Sequence, residues 1–192
     1  MRVNQVKVPI VLDTDIIECF ASLDDGISIL VDSLGTEIYV TGQLIEEIDL
    51  LYGWPSKSYI AERVNAAVGK GKIGRMSIEA ISEDARLFIK MTSGECPGLP
   101  VIGKGEAAAL LLAKASSGTI ASNNLRDVKR YCVNNGIPLL CTEDVLSLAV
   151  VKNRITMDYA AVAWDKLKAD GHFLPPYDFS EAHSRFIDGS PL

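Results

Sequence analysis

The chain has 192 residues, of which 48% are hydrophobic and 23% are charged, and its formal net charge is −6. This length suits one well-packed domain with an appendage, and the composition is ordinary for a globular protein. The negative charge excludes a general attraction for nucleic acid, so a polyanionic partner would have to meet a local basic patch or a bound metal ion.

Hydropathy and cysteine usage argue against a membrane span and a disulfide framework. The longest wholly apolar run covers residues 107–113, far below the ~20 residues that a membrane span needs. Residues 1–7 are polar and show no signal-peptide pattern. The cysteines show no CxxC or Cys/His metal spacing, and they are Cys19, Cys96, Cys132 and Cys141. We therefore expect reduced, mostly buried thiols in a cytoplasmic protein without a membrane partner.

Strands and helices alternate in the first fifty residues. The run VPIVLD (8–13) predicts a buried parallel strand that ends at Asp13, with Asp15 just beyond it. The other predicted elements of this part are helices at 16–23 and 26–34, a strand at 37–41 (EIYVT) and a helix at 42–51. The first acidic candidates for a site therefore stand at the end of a buried strand.

The helix predicted at 42–51 carries an acidic side chain at the edge of its apolar face. The apolar stripe of this helix consists of Leu44, Ile45, Ile48 and Leu51. Glu47 lies three residues after Leu44 and four before Leu51, so it borders the stripe. One of Glu46 and Glu47 is expected to be a solvated helix acid, and this geometry favours Glu47 as the functional one.

The segment 52–76 is the one clearly basic part of this acidic chain. A helix is predicted from an N-cap at Ser56 to Gly69. A helix at 78–91 and a loop at 94–100 follow. The segment has one acid, Glu62, and its basic residues are Lys57, Arg63, Lys70, Lys72 and Arg75. Such a cluster is either a solvated face or a surface for RNA, and the sequence leaves both interpretations open.

Residues 100–142 have the pattern of an α/β sheet. Glu106 opens a helix of small residues, and GTIAS (118–122) and PLLCT (138–142) predict two further strands with a helix between them. Polar residues follow the first of these strands, and they are Ser122, Asn123, Asn124 and Asp127. The pattern predicts an α/β fold with three α/β/α layers around a central, mostly parallel sheet of four or five strands.

A C-terminal extension follows the predicted α/β domain. Helices are predicted at 143–151 and 157–169. The tail 171–192 carries three prolines and few periodic apolar residues, so we expect it to be partly irregular. We therefore expect an α/β domain at 1–152, followed by a helical extension and irregular tail at 153–192.

Acidic and amide side chains stand at equivalent points of the predicted βα units. The carboxyl ends of parallel strands share one edge of a sheet, so we expect these groups to converge there. Converging acids repel one another, and a hard cation with oxygen ligands relieves the repulsion. Mg²⁺ or Mn²⁺ in such a site activates water and neutralises charge on a phosphodiester, whereas the lack of a Cys/His set disfavours zinc. The converging residues are Asp13, Asp15, Glu47, Glu106, Asn124 and Asp127.

Four ordered motifs give the chain a resemblance to a known family. They are VLDTD (11–15), LIEEI (44–48), GKGEAAALLLA (103–113) and IASNNLRD (120–127), the last followed by GIPLLCTEDVL (136–146). In this order the chain resembles the PIN-domain nucleases, which include the VapC-type toxins of toxin–antitoxin pairs. The resemblance implies that the metal-ligating carboxylates are Asp13, Glu47 and Glu106, that Asn124 occupies the fourth position, and that Asp127 is an accessory acid. Asp15 is either a further metal ligand or a cap of the following helix.

The resemblance also implies a function. We expect an endonuclease that depends on Mg²⁺ or Mn²⁺, acts on RNA with single-stranded DNA as the other candidate, and serves as a toxin with an antitoxin partner. A homodimer is a further expectation from the family. Many members have Asp where this chain has Asn124, and a neutral amide should hold the metal more weakly.

Two other functions stay open. The chain could be a catalytically weakened PIN-fold module that binds RNA or a protein partner, which the neutral Asn124 favours. A phosphatase of the haloacid dehalogenase type would use Asp13 as its nucleophile. That chemistry needs a later lysine and a paired acidic motif, and the sequence has no convincing match to them.

Overall fold

The computed structural model describes residues 6–35, 37–78, 82–96 and 100–190. Its strands are β1 (Ile10–Leu12), β2 (Ile38–Thr41), β3 (Gly74–Met76), β4 (Thr119–Ala121) and β5 (Leu139–Leu140). Its helices are α1 (Thr14–Ser22), α2 (Gly26–Leu34), α3 (Gly42–Leu50), α4 (Ser58–Gly69), α5 (Glu83–Ser93), α6 (Lys104–Ala115), α7 (Leu125–Asn135), α8 (Thr142–Val151), α9 (Met157–Ala169) and α10 (Phe179–Asp188). The strands form one all-parallel sheet in the order β3-β2-β1-β4-β5, which confirms the predicted fold class.

Helices cover both faces of the sheet, because successive residues of a strand point to opposite sides. In β1, Ile10 and Leu12 belong to one hydrophobic cluster and Val11 belongs to another. Residues of α1 to α4 and of α8 to α10 fill the first cluster, and residues of α5, α6 and α7 fill the second. The result is the three-layer arrangement that the alternating pattern predicts.

The strand order puts β1 between β2 and β4. The chain builds the sheet from β1 to β3 in one direction and then returns to add β4 and β5 on the other side. Such a reversal opens a crevice beyond the carboxyl ends of the two central strands, where α/β proteins bind ligands. The N–H of Asp13, the first residue after β1, donates to the carbonyl of Ala121 at 2.9 Å. The ends of β1 and β4 therefore lie side by side at this crevice.

The strand β3 has no counterpart among the sequence predictions. It is a short edge strand that pairs with β2, and its residues are only partly buried or exposed, so no apolar run marks it. Gly74 makes the pairing possible, because a Cβ there would lie 2.6 Å from the ring of Tyr39.

The structure corrects one further prediction and adds a helix to the predicted tail. The cap residue of α4 is Lys57 and not Ser56, because the chain makes a turn in which the N–H groups of Lys57 and Ser58 donate to the carbonyl of Trp54. The tail is partly irregular as expected, since residues 171–178 form neither helix nor strand, but it also contains α10, whose Phe179, Ala182 and Phe186 are buried. Residues 79–81 of the helix predicted at 78–91 lie outside the described residues.

The C-terminal helices pack into the main core. Trp164 of α9 is fully buried, and its indole Nε1 donates to the carbonyl of Tyr177 at 3.0 Å. Trp164 and Phe179 share a hydrophobic cluster with Phe20 of α1. Residues of α9 and α10 therefore belong to the same hydrophobic core as the sheet, although they lie in the predicted C-terminal extension that begins at residue 153.

Two composition-based expectations can be compared with the described residues. The thiols of Cys19, Cys132 and Cys141 are buried and that of Cys96 is partly buried, and all four are free, as predicted. Among the described helices, none is both long and apolar enough to span a membrane.

Candidate active site

Asp13 occupies the end of the central strand at the crevice. Its Oδ1 accepts a hydrogen bond from the N–H of Thr14 at 2.8 Å, which caps α1, and its Oδ2 accepts one from Ser122 Oγ at 2.8 Å. Only 2% of Asp13 is exposed. Burial, followed by repulsion from Asp15 and from Glu106, raises the pKa of this carboxyl well above its usual range. A metal-free Asp13 therefore resists ionisation.

Asp15 lies in the first turn of α1, close to Asp13. Its Oδ2 accepts a hydrogen bond from the N–H of Asn123 at 2.9 Å. Its Oδ1 is buried, and no described residue offers it a partner in hydrogen-bond geometry. Burial raises the pKa of Asp15 to about 6, with a further contribution from Glu106, although nearby backbone N–H groups oppose the rise. Asp15 lines the cleft, so its unpartnered Oδ1 is an oxygen atom that a cation could bind.

Glu47 reaches the cleft from α3, whereas Glu46 is exposed. Glu47 Oε2 accepts a hydrogen bond from Thr14 Oγ1 at 2.5 Å, so the residue between the two aspartates orients this glutamate. Gly105 makes room for the pair, because a Cβ there would lie 2.9 Å from Glu47 Oε2 and 3.1 Å from Thr14 Oγ1. Sequence analysis missed Thr14, although its position inside DTD was a usable signal.

Glu106 enters the cleft from the first turn of α6. A Cβ on Gly103 would lie 1.9 Å from Glu106 Oε2, so only glycine leaves space for this carboxylate. Asn124 Nδ2 donates to Glu106 Oε1 at 2.8 Å and to Asp127 Oδ2 at 2.9 Å. The amide therefore holds Glu106 in place through its hydrogens.

Asp127 is satisfied by a neighbouring cation. Arg126 Nε donates to Asp127 Oδ1 at 2.9 Å, and this bond holds the pKa of Asp127 below its ordinary value. Neither Asp127 nor Asn124 is among the described residues that line the cleft. Asn124 contacts the cleft residue Glu106 directly, and Asp127 contacts Asn124.

The cleft has a volume of about 640 Å³ and a mixed lining. The structure brings four of the predicted residues to it, and they are Asp13, Asp15, Glu47 and Glu106. Residues distant in sequence from these acids also line the cleft, and they include Lys57, Lys166, His172 and Phe173. No local pattern could have assigned Lys166, His172 or Phe173 to this cleft, because only the packing of α9 brings them there.

The basic segment divides in the structure. Lys57 lines the cleft, whereas Arg63 Nη1 donates to the carbonyls of Ala21 and Leu23, each at 2.8 Å, and so ties α4 to α1. Lys70 and Lys72 line a separate pocket of about 190 Å³, together with Arg63. Arg63 is therefore structural, and Lys57 is the basic residue of this segment that lines the cleft where the structure describes it.

The cleft carboxylates fit a hard divalent cation in chemistry. The donor set is all oxygen, which suits Mg²⁺ or Mn²⁺, and it includes the orphaned Oδ1 of Asp15. Within the described chain, one group of three or more acidic, Cys or His residues has its ligand atoms all within 4.8 Å of one another, and it lies elsewhere. The cleft carboxylates do not form such a close group among the described residues.

That closer group consists of Cys141, Glu143 and Asp144 at the start of α8. Asp144 Oδ2 accepts hydrogen bonds from the N–H of Cys141 at 2.9 Å and from its Sγ at 3.2 Å, and Glu143 accepts one from Tyr177 Oη at 2.5 Å. Burial raises the pKa of the Cys141 thiol well above its usual range, so it stays protonated. These contacts cap α8 and anchor the C-terminal segment, which explains the group without a metal.

The buried aspartates make a pH dependence testable. The pKa of Asp15 is about 6 in the folded chain against an ordinary value of 3.8. Protonation of Asp15 stabilises the folded chain fully below pH 3.8, the pKa of the unfolded chain. This stabilisation is lost as the pH rises through the folded-state pKa of about 6. We expect this loss to be about 1–3 kcal/mol. Thermal unfolding in EDTA between pH 4 and pH 7 should show it.

An Asp15→Asn variant should reduce the dependence of stability on pH. The control, Asp32→Asn, changes an exposed aspartate and should keep that dependence. Both variants retain groups such as Asp127, whose pKa is lowered and whose effect on the pH dependence has the opposite sign. Comparing the stabilities of the two variants therefore isolates the contribution of Asp15. Equal pH dependence in both variants would show that Asp15 ionises freely in the folded protein.

The glycines of α6 give a second prediction in this region. In Gly105→Ala the new Cβ would push against the ends of the Glu47 and Thr14 side chains, which can move, so the stability should change by less than about 1 kcal/mol. The displaced Glu47 should weaken Mn²⁺ binding by about tenfold. The matched control is Gly42→Ala, where nothing lies within 4 Å of the new Cβ. Calorimetric Mn²⁺ titration that gives equal affinities for both variants would contradict the role of Gly105.

The fold and the cleft define the class of protein. It is an α/β protein with a five-stranded parallel sheet and a carboxylate-lined cleft at the carboxyl ends of its central strands. Comparison of the chain with models of protein families, with curated proteins and with solved structures found no match. The cleft itself supplies the chemical groups from which a function can be argued.

Proposed function

We propose that the chain is a Mg²⁺- or Mn²⁺-dependent endonuclease that hydrolyses RNA, as its resemblance to the PIN-domain nucleases implies. The observation that carries the proposal is the meeting of Asp13, Asp15, Glu47 and Glu106 in one open cleft. Asp13 follows β1 and caps α1, Asp15 lies in α1, and Glu47 and Glu106 lie in α3 and α6. The cleft that they share lies beyond the carboxyl ends of the central strands, a position that favours ligands. Burial penalises the ionisation of Asp13 and Asp15, and acids perturbed in this way inside a cleft favour a functional role.

Each cleft residue has a role in this proposal. Asp13, Glu47 and Glu106 would hold the metal, which when bound activates water and neutralises charge on the phosphodiester. Asp15 adds its unpaired Oδ1 as a further ligand or as an acceptor for a proton of the attacking water. Thr14 and Asn124 orient Glu47 and Glu106 through their hydrogen bonds.

The neighbouring glutamates of α3 provide the sharpest test. Glu47 lines the cleft and Glu46 is exposed, so Glu47→Gln should remove most metal-dependent cleavage and Glu46→Gln should retain it. End-labelled structured RNA and single-stranded DNA would be incubated with each protein in Mg²⁺, Mn²⁺ and EDTA. Equal cleavage by both variants, or cleavage that persists in EDTA, would overturn the proposal. Preference for DNA would replace RNA as the substrate.

A second candidate is a PIN-like module that binds RNA or a protein partner without cleaving RNA. The hydrogen bonds of Asn124 favour it, because this amide neutralises neither Glu106 nor Asp127 but satisfies both without a metal. This candidate predicts RNA binding that EDTA leaves unchanged and no cleavage in Mn²⁺. Asn124→Asp should then add a charge beside Glu106 and strengthen Mn²⁺ binding, which calorimetry would measure.

The biological setting follows from the same proposal. As a toxin, the chain would have an antitoxin partner, and a second copy of the chain would form a homodimer. Co-purification with the product of a neighbouring reading frame and the mass of the purified protein in solution would test these two partners. A monomer that retains full cleavage would show that the dimer is not needed for the reaction.

A further inference from the structure

The lining of the cleft also includes an exposed aromatic ring and two lysines. Phe173 is 93% exposed and lines the cleft, just after α9. A single exposed apolar side chain has no meaning by itself. Phe173 differs because Lys57 and Lys166 line the same cleft, and an aromatic face beside cations is the arrangement that binds single-stranded nucleic acid.

Both lysines can exchange their present partners for a phosphate. Lys57 Nζ lies 3.7 Å from Glu18 Oε2, and its side chain is 53% exposed. Lys166 Nζ donates to Asp170 Oδ2 at 2.8 Å and to the carbonyl of Ser22 at 3.2 Å, and its side chain is 48% exposed. The Lys166–Asp170 pair is exposed on both sides, and the Lys57–Glu18 pair is long and exposed at the lysine, so a polyanion can compete with these carboxylates at modest cost.

The electrostatics of the cleft require such cations. A nucleic acid strand that enters it meets six lining carboxylates, two of them the partners of Lys57 and Lys166, and approaches a protein of net charge −6. Metal ions offset this repulsion only at the reacting phosphate. His172 offers no lasting positive charge at neutral pH, because burial lowers its pKa below the ordinary value. Lys57 and Lys166 are therefore the cleft residues that can hold the neighbouring phosphates.

We propose that Phe173, Lys57 and Lys166 form a nucleotide subsite that binds single-stranded RNA beside the reacting phosphate. An unpaired base stacks on the exposed ring of Phe173, and the two ammonium groups contact the flanking phosphates. A duplex is disfavoured because its base faces are already stacked and cannot reach the ring. The inference rests on the proposed nuclease function and assigns its substrate class to single strands.

Binding measurements test the subsite apart from cleavage. The full-length protein carrying Asp13→Asn would be titrated into fluorescein-labelled single-stranded RNA in Mg²⁺, with fluorescence anisotropy as the readout. In this background Phe173→Ala should weaken binding about 5- to 100-fold, and Phe173→Trp should retain it. Lys57→Ala and Lys166→Ala should each weaken binding and reduce the slope of log K against log salt by about 0.7. The matched control is Lys90→Ala, an exposed lysine outside the cleft lining, and it should bind as the parent does.

The outcomes separate the subsite from the nuclease. Absence of metal-dependent cleavage by the wild-type protein would overturn the nuclease, whatever the binding results. Equal RNA affinity for the parent and Phe173→Ala, failure of the parent to bind single strands, or tighter binding of duplex RNA would overturn the subsite. A matching loss on single-stranded DNA supports it, because stacking on Phe173 does not read the 2′-hydroxyl. Unchanged thermal unfolding of each variant, expected for exposed side chains, shows that the fold is intact.

Discussion

Asp13→Asn is expected to abolish metal-dependent cleavage without destabilising the metal-free protein. Removing a carboxylate that holds the metal should cost several kcal/mol of transition-state stabilisation, which corresponds to a rate loss on the order of a thousandfold. The metal-free fold should behave in the opposite way. The charged form of Asp13 is disfavoured by burial and by Asp15 and Glu106, so a neutral amide of the same shape relieves that penalty.

The hydrogen bonds of Asp13 survive in this variant. An asparagine Oδ1 can still accept from the N–H of Thr14, and its Nδ2 can donate to Ser122 Oγ, because a hydroxyl both donates and accepts. We therefore expect the metal-free variant to gain about 1–2 kcal/mol at pH 7. Cleavage assays and thermal unfolding in EDTA measure the two effects. The exposed Asp32→Asn is the control.

A loss of stability in Asp13→Asn would contradict this account. It would mean that the carboxylate mainly serves as the N-cap of α1, for which a charge near the helix start is favourable. Retained cleavage would remove Asp13 from the metal site altogether. A gain in stability together with lost cleavage would show that Asp13 is needed for cleavage and lowers the free energy of unfolding of the metal-free protein.

Trp164→Ala is expected to have the largest effect on stability. Trp164 is fully buried among α9 and α10, and truncating a buried tryptophan costs about 3–5 kcal/mol. Urea unfolding followed by far-ultraviolet circular dichroism should show this loss. Because the end of α9 supplies Lys166 to the cleft, weaker RNA binding should accompany it.

Trp164→Phe provides the matched control. It loses the hydrogen bond from the indole to Tyr177 but keeps most of the packing, so its cost should be about 1–2 kcal/mol. A loss below about 1 kcal/mol in Trp164→Ala would mean that α9 contributes little to the core. The extension would then be a separable appendage.

The sequence predicts those elements whose physical cause is local. The run that forms β1 is apolar because both faces of the strand are buried, and the acid that ends it is therefore conspicuous. The edge strand β3 lacks such a run, since its pairing depends on the ring of Tyr39 lying over Gly74. The helix α10 was missed because prolines precede it and only its Phe179, Ala182 and Phe186 turn to the core.

The same limit applies to the candidate site. Asp13 could be selected because it ends a buried strand, Glu106 because it opens a helix, and Glu47 because it borders the apolar face of its helix. Their partners could not, since the hydrogen bond of Thr14 to Glu47 and the arrival of Lys166 at the cleft are results of tertiary packing. Local patterns fix where an acid stands, and only the packed chain decides what faces it.

The placement of β1 between β2 and β4 has a consequence for protein synthesis. Asp13 is made early, but the strand that flanks it, β4, and the cleft residues Lys166 and Phe173 are made much later. The cleft therefore lacks Lys166 and Phe173 until α9 and the four residues that follow it have been made and have packed. If the chain cleaves RNA as proposed, the carboxylates that would hold the metal are made before Lys166 and Phe173, which are proposed to bind the neighbouring nucleotide.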